Sequence, residues 1–346
     1  MIELIISVAA MLLCFVFLAR ICDKFFVASL DRISHDLKLS SDAAGATLMA
    51  VGSSAPELFV ALFAVFRPGD HSAIGIGSIV GSALFNLLAI GGLVALVRKS
   101  SLTWQPMLRD ILFYFVAVIL LLWGIIDGDF NLTNAVAFLA LYAVYVFAVV
   151  NWKKWFTYTD TGHHHNSAAI QEETDEKPNL IDRFLAILFP KKEHYYWVFF
   201  IAIVLIAGMS WVLVEAAIHV SHILDIPESI IALTVLAAGT SVPDLMSSLI
   251  VAKQGRGDMA ISNAIGSNIF DILVGLGFPF LLVILINGNN IVAGGQNLEG
   301  SSFILFASLI AFTLLLIFKR WNINWVTGLV LLGMYVIYIA REIYML

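Results

Sequence analysis

Charge is scarce in this chain. Asp, Glu, Lys and Arg make up 13% of its 346 residues, 60% are hydrophobic, and the mean hydropathy is +0.94; soluble domains carry only about 45–50% apolar residues. A soluble globular domain is therefore excluded, and the chain reads as a polytopic membrane protein. Cysteine is nearly missing as well. Cys14 and Cys22 both lie on the first apolar run, so no disulfide framework is expected and both read as packing. That run also lacks a positive leading region and carries Glu3, so it is expected to remain as a span, not to be removed as a signal. The net charge of −6 identifies no partner; a lipid bilayer is the expected surround, and no nucleic acid is expected.

Apolar segments, each near the roughly 20 residues a helix needs to cross hydrocarbon, start near residues 2, 43, 73, 110, 133, 195, 229, 259, 302 and 321, which predicts ten spans. Lys and Arg collect in cytoplasmic loops. With the N-terminus outside, only Arg67 and Arg341 of the 19 cations stay out, leaving 19 − 2 = 17 on inner ends and loops. This orientation puts the connection 153–194 in the cytoplasm. It holds 13 of the 44 charged residues (19 basic plus 25 acidic) and lacks an apolar core, and at about 40 residues it is short for a domain that folds unaided. Its His163-His164-His165 run and the "EETDE" from Glu172 read as solvated loop, and "LIDRFLAILFPKK" from Leu180 as a short helix on the membrane surface.

The chain repeats itself. Shifted by 187, "SHDLKLSSDAAGATLMAVGSSAPELFVAL" from Ser34 matches "SHILDIPESIIALTVLAAGTSVPDLMSSL" from Ser221 at 10 of 29 positions, and Glu57 falls on Asp244. Shifted by 185, "GSALFN" from Gly81 falls on "GSNIFD" from Gly266, and Asn86 on Asp271. Each copy holds five spans, and an odd number makes the second copy enter from the opposite face. The predicted fold is an all-α membrane protein of about ten transmembrane helices. Residues 1–152 and 195–346 form two inverted five-helix repeats joined by the linker 153–194, with broken helices at the midplane, as in many secondary transporters.

The repeated motifs place acids in oil, where a charge costs at least about 2.5 kcal/mol and marks function by default. In "GSSAPE" and "GTSVPD", Pro56 and Pro243 cannot donate to the carbonyls of Gly52 and Gly239, so both helices are expected to break. Ser53, Ser54, Thr240 and Ser241 bring hydroxyls to the gap, and freed backbone at this depth must be buried in protein or line a watery cavity. Ser82 with Asn86, and Ser267 with Asp271, are four apart on one helical face. Gly and Ser alone would serve a close helix contact, but packing does not require the three carboxylates Glu57, Asp244 and Asp271. Carbonyl, hydroxyl and carboxylate oxygens are the hard ligands of calcium and sodium, and the absence of Cys and His from the motifs argues against zinc or copper. Three negative charges balance one divalent and one monovalent cation, or several sodium ions.

At these residues the chain resembles the sodium/calcium exchangers of the calcium:cation antiporter superfamily, most of all the potassium-dependent branch. The resemblance rests on "CDKFFVASL" from Cys22, "AGATLMAVGSSAPELF" from Ala44, "GIGSIVGSALFN" from Gly75 and "LTVLAAGTSVPDLMSSLIVAKQGRGDMAISNAIGSNIFDI" from Leu233. It implies that Glu57 and Asp244 are the central acids for calcium or sodium, helped by Ser53, Ser54, Thr240, Ser241 and the carbonyls of Ala50 and Ala237. Ser82, Asn86, Ser267 and Asp271 would complete the shell, and an aspartate at the position of Asp271 is associated in this family with potassium cotransport. Transported calcium and sodium, with potassium as a candidate third ion, are then the expected partners; no cofactor is expected. A proton/calcium antiporter of the same superfamily is the alternative. A remote one is an intramembrane aspartyl protease, because "GRGD" at Gly255 to Asp258 fits a GxGD pattern, although no Tyr-Asp pair supplies the second acid such an enzyme needs. Glu215, a fourth acid within a span, fits no motif and is expected near the outer end of span six, snorkelling to water. His35 and His222 recur at equivalent helix ends and read as interfacial.

Overall fold

The computed structural model describes residues 2–36, 50–69, 71–156, 185, 187–189, 194–253, 255, 257–293 and 296–345. The central histidines, the acidic run and the side chain of His35 lie outside the described residues, and of the surface helix expected from Leu180 only 185 and 187–189 are described. Among those described, eight helices are long and apolar enough to cross a membrane: Ile2–Phe26, Ser72–Val97, Trp104–Asp127, Leu132–Trp152, Tyr195–Leu224, Gly257–Asn287, Asn297–Phe318 and Trp325–Tyr344. In chain order they are spans 1, 3, 4, 5, 6, 8, 9 and 10. Span 7 is a broken pair, Glu228–Thr240 and Val242–Lys253, bent by 43°. Span 2 is described only from Ala50 onward, as Ala50–Ser53 and Ala55–Phe66. Lipid is the surround such a surface requires: Ile5, Phe147, Leu285 and Ile337 are all more than half exposed, and Trp104, Trp155, Trp197 and Trp325 stand out near span ends, the usual level of an aromatic belt.

Four two-residue strands finish the bundle. β1 (Ser100–Ser101) pairs with β4 (Asn322–Ile323), and β2 (Asp129–Phe130) with β3 (Ile291–Val292), both antiparallel. Span 4 separates β1 from β2, so the two pairs cap opposite ends of the bundle. The β2–β3 end is the one expected outside. In each pair, the strand that follows the third span of one copy joins the strand that precedes the fifth span of the other. Asn131 and Asn324 cap the fifth spans alike: Asn131 accepts from the backbone N–H of Thr133 at 2.8 Å and Asn324 from that of Thr327 at 3.1 Å.

Helical regularity fails where the repeats predict it and also where they do not. Breaks fall at Ser54 (φ −94°, ψ 8°) and Ser241 (φ −82°, ψ 5°), each followed within two residues by its proline. In addition, π-helical turns occupy Phe85–Ile90 in span 3 and Asp271–Leu276 in span 8. A π turn inserts a residue into the ladder and rotates the helix beyond it, and such turns concentrate at functional sites. These begin one residue before Asn86 and at Asp271 itself.

Apolar packing forms two clusters. Spans 1 and 6 pack together in one, with the faces of spans 2 and 7 that they touch; the remaining spans share the other. Glycine sets the closest approach: a Cβ on Gly81 would stand 2.3 Å from the carbonyl oxygen of Leu233, so span 3 meets span 7 backbone to backbone. Both cysteines are buried and outside any disulfide, with Cys14 Sγ 3.9 Å from Met209 Sδ.

Candidate cation site

Glu57 and Asp244 stand in the first turns of the half-helices Ala55–Phe66 and Val242–Lys253. A helix start carries partial positive charge and favours a carboxylate; a helix end carries partial negative charge and favours a cation. Each break therefore sets an acid beside the carbonyl end of the half-helix before it. Both acids and Asp271 are 0% exposed, as are Ser54, Ser82, Asn86, Thr240, Ser241 and Ser267, while Ser53 is 5% exposed.

Hydrogen bonds tie the four motifs into one cluster that draws on both copies. Asn86 Nδ2 donates to Asp244 Oδ2 at 3.0 Å, Ser267 Oγ to Asp244 Oδ1 at 3.3 Å, and Ser241 Oγ to Glu57 Oε1 at 3.3 Å. Ser82 and Ser241 hydroxyls meet at 2.6 Å, and those of Ser53 and Ser267 at 3.3 Å. The carboxylates lie close enough to feel one another's charge: Glu57 with Asp244, and Asp271 with both. Ser54 and Ser82 are near Asp271, but neither is aligned well enough to bond it.

Five oxygens in this cluster are buried with no hydrogen-bond partner: Ser54 Oγ, Glu57 Oε2, Asn86 Oδ1 and both Asp271 carboxylate oxygens. An unmet buried polar atom costs about 1–3 kcal/mol, a cost that a cation, a water or a proton on a carboxyl would each relieve. All are hard oxygen. Among the described residues no three His, Cys, Asp or Glu side chains form a ready-made metal shell, so a cation held here would take much of its coordination from hydroxyl and amide oxygens.

The family model described as sodium/calcium exchanger protein matches residues 7–151 and 194–344, most of both halves. The chain belongs to this exchanger family. Sodium/potassium/calcium exchanger 2 of Gallus gallus is 29% identical to it, aligned over 98% of this chain and 77% of the relative. Sodium/potassium/calcium exchanger 5 of Homo sapiens is also 29% identical, over 93% and 79%. Among solved structures, the sodium-calcium exchanger NCX_Mj superposes with a TM-score of 0.60 at 26% identity, covering 97% of this chain and 98% of that one. The H+/Ca2+ exchanger CAX superposes with a TM-score of 0.70 at 16% identity, over 97% and 86%, a likeness of fold.

Within this exchanger-family chain, the predicted side chains all enter the cluster, Thr240 through its hydroxyl beside Glu57. Thr240 turns back along its own helix, its Oγ1 3.1 Å from the Leu236 carbonyl and 3.3 Å from that of Ala237. The Ala237 carbonyl also accepts the Ser241 N–H at 3.2 Å, so in this conformation it serves the helix. Ala50 opens the short helix before the first break. Glu215 is partly exposed, as expected, and is ion-paired to Arg67. Asp258 begins the helix that ends at Phe270, about 20 Å from Asp271 at ~1.5 Å per residue, and is no partner for the buried acids.

Sequence reasoning missed several polar residues. Ser210 donates to the Pro56 carbonyl at 3.5 Å, bringing span 6 to the first break. Asn268, fully buried, donates to the Ala83 carbonyl at 3.1 Å and lies 2.9 Å from the Tyr114 hydroxyl. Its signal was its place inside "GSNIFD". Asp110 and Glu342 are buried acids too, each beside an arginine. Arg109 Nε donates to Asp110 at 2.8 Å with Tyr145 donating at 3.2 Å, and Arg341 and Ser301 both donate to Glu342. Arg109, expected at an inner membrane end, is inside span 4 and 7% exposed.

Proposed function

We propose that this chain is a secondary antiporter that exchanges sodium for calcium by alternating access, with potassium as a co-substrate at Asp271. The carrying observation is the group of five unpartnered oxygens around three buried carboxylates drawn from both copies. Glu57 and Asp244 act as the shared central ligands. Ser53, Ser54, Thr240, Ser241 and the carbonyls of Ala50 and Ala237 serve them, and Ser82, Asn86, Ser267 and Asp271 complete the shell. Sodium and calcium compete for the same oxygens, so one occupant displaces the other, and the inward fall of sodium drives calcium out. The sodium/potassium/calcium exchangers among the relatives support this cargo.

The halves 1–152 and 195–346 act as inverted repeats joined by a cytoplasmic linker at 153–194, with the N-terminus outside, in a plasma membrane or a prokaryotic inner membrane. Purified protein in proteoliposomes is expected to accumulate calcium when sodium is loaded inside, and an imposed pH gradient without sodium is expected to leave calcium outside. Calcium uptake driven by the pH gradient alone would replace sodium with protons in this scheme.

A further inference from the structure

Spans 1 and 6 behave as one body. Asp36 Oδ2 accepts from Tyr196 at 3.2 Å and also from Tyr195; Phe26 stacks on Phe199 with centroids 5.2 Å apart; Cys14 meets Met209. Their apolar cluster also takes in Ala55, Val60 and Ala64 of span 2 and Ile231, Ala232 and Leu236 of span 7. At the β2–β3 end an ion pair crosses from this body to the motif-bearing bundle: Arg67, the residue that ends the half-helix Ala55–Phe66, bonds Glu215 of span 6. Phe63, Phe66, Trp211 and Val214 wall a cavity of about 180 Å³ beside the pair. Carbonyls at a helix end favour the Arg67 cation there.

The pair has no counterpart in the second copy. Under the 187-residue offset, Glu215 falls on Ala28 and Arg67 on Gln254. Packing is uneven in the same sense: span 6 lies along Ala55–Phe66, whereas span 1 only touches Val242–Lys253. We propose that Arg67 and Glu215 are positioning residues, a latch that holds the β2–β3 face shut and so sets how often the site opens to that side. The proposal rests on the alternating-access reading. Two inverted copies would otherwise exchange shapes with little preference; a bond that the equivalent positions of the other copy, Ala28 and Gln254, cannot make tilts that balance, and the tilt lowers apparent affinity for ions arriving at the latched face.

The test is labelling of a Phe63→Cys reporter by a membrane-impermeant maleimide, in right-side-out vesicles bearing the full chain with Cys14→Ala and Cys22→Ala. Arg67→Gln and Glu215→Gln are each expected to raise the labelling rate about two- to fivefold, the reach of a partly exposed ion pair. The double Gln variant should match either single change, and Arg67→Glu with Glu215→Arg should return towards the parent rate. Unchanged labelling in both single variants, or additive effects in the double, overturns the latch; if the charge swap fails to insert, the Gln series still decides. Sodium-driven calcium flux is measured separately in the parent. Loss of that flux with latch-dependent labelling intact would remove the exchanger reading and leave the latch standing.

Discussion

Asp244 accepts from Asn86 and Ser267 and faces Glu57 across a buried cluster. Asp244→Asn keeps the shape but removes a charge that hard cations require. Sodium-driven calcium uptake is expected to fall to about a tenth of the parent rate or less, with the yield of monodisperse protein unchanged on size-exclusion chromatography. Flux at the parent rate would refute Asp244 as a central ligand. Asp271 has both oxygens unpartnered, and Asp271→Asn is expected to flatten the dependence of calcium flux on potassium while sodium-dependent flux persists. A parallel loss of both would make Asp271 a ligand common to all ions. The three central acids were legible in the sequence because hydrocarbon makes a carboxylate conspicuous. Asp110 and Glu342 were not, because each adjoins an arginine in sequence and so resembles the charged end of a helix.

At the scale of elements, the prolines announced both breaks, since a missing N–H is a local property of the chain. The π turns, at Cys22–Val27 and Ala232–Leu236 as well as in spans 3 and 8, were not announced, because a π turn leaves no period in composition. The interhelical fit was equally hidden. A Cβ on Gly239 would stand 2.2 Å from the Phe15 ring of span 1, so Gly239→Ala is expected to cost about 1–3 kcal/mol by overpacking and lower the thermal midpoint in detergent. Phe15→Leu in the same chain should restore most of that midpoint. If Gly239→Ala leaves the midpoint unchanged, the ring does not rest on that glycine.

For the whole molecule, repetition and the count of cations were enough to predict inverted copies and a face for each loop, while the described residues show eight helices and one bent pair against the ten spans expected. Asn290, hydrogen-bonded to Asp129 at 2.8 Å beside the β2–β3 pair, and Lys319, beside β4, should be on opposite sides. Asn290→Cys is expected to react with impermeant maleimide added outside, and Lys319→Cys only after the membrane is opened. Labelling of both from one side would break the assigned orientation.

The two short ribbons have a consequence for ancestry and assembly. Each of these strands finds its mate in the other half, so a five-span piece alone would leave both of its edges open. If the halves are inverted as proposed, two such pieces could close each other only by inserting upside down relative to one another. A single-copy version would then have to be a dual-orientation homodimer, and the linker of that topology would guarantee one of each orientation in every molecule.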